Sequence, residues 1–117
     1  MTNEEYEKIR EICKPHYYNI NTNPLIDRMH WATYREELGE NIVIKQENIG
    51  NYEVSTVYVG LDMGLFNPLP LIFETMIFCD DADDPLYLWQ ERYTYKDQAL
   101  EGHERAVILA SGIKNDR

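Results

Sequence analysis

Between Asn41 and Phe78 apolar and polar positions alternate with a period of two, while the segments on either side repeat at three and four residues. The first pattern predicts strands and the second predicts helices. "NIVIKQENI" sets Ile42 and Ile44 against Val43 and Lys45, and Gly50-Asn51 after it is a two-residue hairpin signal. "YEVSTVYVGL" puts Val57, Val59 and Leu61 on one face and Val54, Thr56 and Tyr58 on the other. The connection "DMGLFNPLP" holds Gly64, Asn67, Pro68 and Pro70, which form turns or break strands. "LIFETMIF" and "LYLWQERY" read as a third and a fourth strand, joined by "CDDADDP".

The flanking helices carry start and stop signals. Thr2 with Glu5 is a capping-box pattern, opening a helix with Tyr6, Ile9, Ile12 and Cys13 on one face, and Pro15 ends it. Asn23 caps a second helix with Pro24 at its first position. Ile26, Met29, Trp31, Tyr34 and Leu38 follow along it, and Gly39 stops it. Thr94, with Asp97 three residues on, starts a last helix whose stripe is Ala99, Leu100, His103, Ala106, Val107 and Ala110. The expected architecture is α+β in a single domain, 1–117. It has two N-terminal helices, a four-stranded antiparallel meander, and a C-terminal helix packed on one sheet face through Leu100, His103 and Val107.

Composition narrows the function. The 117 residues are 44% hydrophobic and 27% charged, a globular balance with enough chain for a core. The formal net charge of −10 argues against nucleic acid as a direct partner and against anionic membranes, since both are bound through Lys and Arg. It favours a protein partner with a basic surface, or serves solubility alone. The N-terminus "MTNEEYEKIR" is polar and acidic, unlike a signal peptide, and no apolar run approaches a membrane span. Two cysteines form no disulfide framework, so a reduced, cytoplasmic setting is expected. Nothing in the pattern fixes the oligomeric state.

Candidate chemistry is sparse. Glu74 interrupts an apolar strand on the side of Ile72, Met76 and Phe78, and pairing around the Gly64–Asn67 turn sets Val57 opposite it. A carboxylate there lies on the wetter face beside Lys45 or Arg92, or is buried with a partner such as His103, or acts as a catalytic acid or base. His103 on the helix stripe, beside Gly102, is expected to be structural and to meet Glu74 across the sheet–helix interface. Cys13 and His16 have the spacing of half a zinc site with no second half, and Asp81 and Asp83 have only the first spacing of an EF-hand loop. No metal and no organic cofactor is expected. Four aspartates near Cys79 oppose thiolate formation, so it is a poor nucleophile.

One distribution stands out. Asp80, Asp81, Asp83, Asp84, Asp97, Glu101 and Glu104 are interleaved with Tyr87, Trp89 and Tyr95. Aromatics supply contact area and carboxylates steer toward a basic patch, so these residues, Asp97 chiefly as a helix cap, are the expected partner-binding set. The phrases "VSTVYVGLD", "PLIFETMIF", "RYTY" and "ALEGHERAV", in this order between Met29 and Ala110, resemble a family of small uncharacterised proteins of tailed bacteriophages and prophages. Where many of its members read G-L-D-H before a glycine-rich turn, this chain has Met63. The resemblance implies that Glu74 and His103 belong to the family framework, and it carries no activity. The expected function is binding of a host or phage macromolecule in the host cytoplasm, for example by an inhibitor of host defence. An anti-CRISPR protein occupying a basic nucleic-acid-binding surface is one such inhibitor. The alternatives are a virion or replication accessory protein, and a small enzyme using Glu74 and His103.

Overall fold

The computed structural model describes residues 1–12, 15–62 and 69–115. Cys13 and the segment 63–68, with Met63, Gly64 and Asn67 of the expected turn, lie outside the described residues. Helix α1 (Asn3–Ile12) is capped by Thr2, whose Oγ1 accepts from the Glu5 N–H at 3.1 Å. Its apolar positions Tyr6 and Ile9 are exposed and add nothing to the core.

The second helix begins later than its sequence suggests. Asn19 Oδ1 accepts from the N–H groups of Asn21 and Asn23, both at 2.9 Å, and Leu25 N donates to Tyr17 O. These bonds hold the chain around Pro24 in an extended bridge to Tyr18, so Pro24 does not open a helix. Asp27 is the cap instead, its Oδ1 accepting from His30 N at 2.9 Å, and α2 runs Arg28–Leu38. Gly39, at φ 53°, ends it as expected and leads into a 3-10 turn, Gly39–Ile42.

Four strands form the main antiparallel sheet: β2 (Val43–Ile49), β3 (Tyr52–Tyr58), β5 (Phe73–Phe78) and β6 (Gln90–Tyr93), neighbours in that order. Gly50, at φ 61°, and Asn51 make the hairpin, closing Ile49 against Tyr52. Val57 pairs with Glu74, the register expected from alternation. Two short strands were not legible: β1 (His16–Tyr17) and β4 (Leu61–Asp62) form a second antiparallel sheet. The fourth strand is also shorter than "LYLWQERY". Leu86 to Leu88 stay in the preceding loop, because Tyr87 N donates to Asp84 O and Trp89 N to Leu86 O.

Helix α3 (Lys96–Asn115) crosses one face of this sheet. Gln98 Oε1 accepts from the N–H groups of Thr94 and Tyr95, at 3.3 and 3.1 Å, while Asp97 Oδ1 holds only Gln98 N. The cap expected of Thr94 and Asp97 is thus supplied mainly by Gln98. The helix does not pack through Leu100, which is 38% exposed, and Val107 is only half-buried. Among the described residues its buried positions are Ala99, Gly102, His103, Ala106 and Ala110. Small side chains let it approach closely: a Cβ added at Gly102 would lie 2.0 Å from the Tyr93 hydroxyl.

Two apolar clusters result, one at each end of the helix–sheet interface. Tyr58, Ile72, Phe73, Tyr93 and Ala99 form the first, flanked by Tyr34 and Leu38 of α2. Tyr52, Val54, Ile77, Leu86, Ala106 and Ala110 form the second. Between them, on the same face, lie the fully buried polar side chains of Thr56, Thr75 and His103. Among the described residues no helix is long and apolar enough to cross a membrane.

Candidate interaction surface

The segment from Cys79 to Trp89, between β5 and β6, carries four of the eight aspartates. Its brace is Asp84, which is 8% exposed. Asp84 Oδ2 accepts from the Tyr52 hydroxyl at 2.6 Å and Oδ1 accepts from Leu86 N at 2.9 Å. A carboxylate becomes tolerable there because two donors satisfy it. Asp84 therefore points into the fold and braces the loop, and does not project from its tip with the other aspartates as expected. Leu86 beside it is buried against Tyr52 and Ile77 and pins the loop to the core.

Asp80, Asp81 and Asp83 are exposed at this end of the sheet, and Asp81 Oδ1 accepts from Asp83 N at 2.9 Å. With Gly50, Asn51 and Tyr52 the aspartates at 80, 81 and 84 line a depression of about 500 Å³. Tyr87 is 41% exposed, whereas Trp89 packs against the second cluster and is no free anchor. Leu88 carries no signal of its own in the sequence pattern. It is 48% exposed with φ 55°, in the left-handed region that an ordinary side chain adopts only at a cost. Its neighbours force this, since the turns at Asp84–Tyr87 and Leu86–Trp89 and the bond from Ile77 N to Trp89 O fix the chain on both sides of it.

The rest of the expected binding set lies elsewhere. Asp97, Glu101 and Tyr95 belong to the N-terminal end of α3, near Ala99 and the first cluster, whereas Ala106 and Ala110 reach the loop's end of the sheet. Glu104 is held by Lys45 Nζ at 2.7 Å. That hydrogen bond lowers the Glu104 pKa and raises that of Lys45. The acidic positions thus do not form one continuous surface.

Glu74 and His103 are on opposite faces of the sheet. Glu74 Oε2 accepts from Arg92 Nε at 2.8 Å, on the face away from α3. The expected meeting with His103 does not occur, because β5 turns Phe73, Thr75 and Ile77, not Glu74, toward the helix. His103 instead joins Glu47 of β2, with Nε2 3.0 Å from Glu47 Oε1 and Nδ1 2.7 Å from Thr56 Oγ1. Thr56 Oγ1 lies 2.6 Å from Thr75 Oγ1. Carboxylate, imidazole and hydroxyl in a row have the order of a nucleophilic triad. Here Thr56 and His103 are both 0% exposed, so the row ties α3 to β2, β3 and β5 where a substrate has no access.

Among the described residues no group of three or more His, Cys, Asp and Glu side chains is placed to hold a metal ion. No family model, curated protein or solved structure matches the chain, so the functional reading rests on its own sequence and geometry.

Proposed function

We propose that the protein is a binding module that docks the β5–β6 loop on a basic surface of a partner macromolecule. The observation that supports this is Leu88, an exposed aliphatic residue held at φ 55° by a loop braced on buried Asp84. Strain that persists where the surroundings over-determine it is a feature of ligand clamps and switch regions. An apolar anchor presented on a rigid support loses little entropy on docking. Tyr87 adds amphipathic area, and the exposed Asp80, Asp81 and Asp83, which form no ion pair among the described residues, steer the loop toward Lys and Arg. Given the phage-type sequence phrases, we take inhibition of a host defence protein, by covering its basic nucleic-acid-binding surface, as the form this binding takes.

The test is affinity capture from host extract with the tagged protein. The Leu88→Gly variant and a triple reversal of Asp80, Asp81 and Asp83 to Lys serve as comparisons. Both variants should fold, and both should lose the partner recovered by the parent chain. If both retain it while substitution of exposed Tyr6 on α1 abolishes capture, the loop is not the docking element.

A further inference from the structure

Strand β2 is the outermost strand of the main sheet, seven residues long, and among the described residues no strand pairs with its free side. A long open edge is a template for another strand. We propose that its occupant is a second copy of the chain, with two β2 strands pairing antiparallel about a two-fold axis through Gln46 and joining two sheets edge to edge.

The order Lys45-Gln46-Glu47 carries the argument. Antiparallel pairing centred on Gln46 sets Lys45 of each copy opposite Glu47 of the other, so two opposite-charge pairs form from a single sequence. The backbone parity agrees. Ile49 closes the hairpin against Tyr52 across a two-residue turn, and along an antiparallel ladder every second residue turns its N–H and C=O the other way. Gln46 and Asn48 therefore present theirs to the free edge, and two Gln46 residues exchange both hydrogen bonds across the axis.

Natural edges are often blocked by a bulge or a lysine. A register shift between Val43 and Lys45 restricts the pairing to the segment after it. Lys45 is no obstacle, since it already lies 3.4 Å from Glu47 and 2.7 Å from Glu104. The bond to Glu104 also shows which flank of α3 faces β2, while Arg105 reaches Glu91 of β6 on the other flank at 2.5 Å. Leu100 and Ile108, one turn before and after Glu104, are 38% and 69% exposed and border the same edge. The net charge of −10 on each copy opposes association, but it is screened beyond about 8 Å at physiological salt, which leaves the close pairs to decide. This surface is separate from the β5–β6 loop and does not depend on its role.

Sedimentation velocity across a concentration series should show a dimer. Gln46→Pro should give a monomer with unchanged circular dichroism, because proline at an outward-facing N–H leaves the ladder to β3 intact. A second measurement does not rely on that variant folding. With Cys13 and Cys79 replaced by Ser, Gln46→Cys should be joined to its copy by a short bis-maleimide, whereas Glu53→Cys on β3 should not. A chain monomeric at every concentration, a dimer that survives Gln46→Pro, or a Gln46→Cys chain that fails to crosslink would each overturn the proposal. So would a monomer whose capture of a foreign partner is lost in Gln46→Pro, since the edge would then serve another protein's strand.

Discussion

Comparison of Leu88→Gly with Leu88→Ala isolates the strain on which the functional reading rests. Both substitutions remove the same half-buried side chain, worth about 1 kcal/mol if full burial of a leucine contributes roughly 2. They differ in what φ 55° costs. Alanine retains a left-handed penalty of about 1–2 kcal/mol, and glycine has almost none. Glycine gives back roughly 0.5–1 kcal/mol through the greater entropy of its unfolded chain. The glycine variant should therefore be as stable as the alanine variant or more so, by up to about 1.5 kcal/mol, and close to the parent. Urea denaturation of the three proteins, with equal m-values, measures this. At an ordinary position the order reverses. A glycine variant less stable than the alanine variant by about 0.5–1 kcal/mol would show that Leu88 is not held left-handed and would remove the support for its role as an anchor.

His103→Ala should cost about 2–4 kcal/mol in urea denaturation, from the cavity at a fully buried site and the lost bonds to Glu47 and Thr56; a loss under 1 kcal/mol would contradict the packed network. Gly102→Ala should destabilise by about 1–3 kcal/mol despite alanine's higher helix propensity, because the added methyl meets the Tyr93 ring, and a stabilised variant would refute this close approach. Alkaline titration should also unfold the protein early. Burial pushes the Tyr93 hydroxyl up to about 12 and raises that of Tyr58 too, against about 10 in an unfolded chain. The folded state thus holds these protons more tightly than the unfolded one, and the stability they contribute is complete below about pH 10 and lost as pH rises through 12. Tyr93→Phe, which also removes a buried hydroxyl that has no hydrogen-bond partner among the described residues, should move the alkaline midpoint upward. An unchanged midpoint would count against the shift.

The sequence by itself determined the order of the three helices and of the four strands in the main sheet, the hairpin at Gly50–Asn51 and the pairing of Val57 with Glu74. These follow from local turn chemistry and from a period of two, both of which act over a few residues. A period of two does not say which face of a strand is covered when both carry apolar side chains. On β5, Met76 and Phe78 compete with Phe73 and Ile77, and only the docking of α3 on the latter sends His103 to Glu47 and leaves Glu74 to Arg92. The same limit applies to the loop. "DDADDP" looks like one acidic tip, but the Tyr52 hydroxyl, 32 residues away in sequence, draws Asp84 inward and sets the turns that leave Leu88 exposed. The pairing of β1 with β4 and the delay of α2 to Asp27 are likewise decided by long-range contacts that no local pattern encodes. Hydrogen bonds between residues distant in sequence, and the face that a helix covers, are properties of the assembled fold.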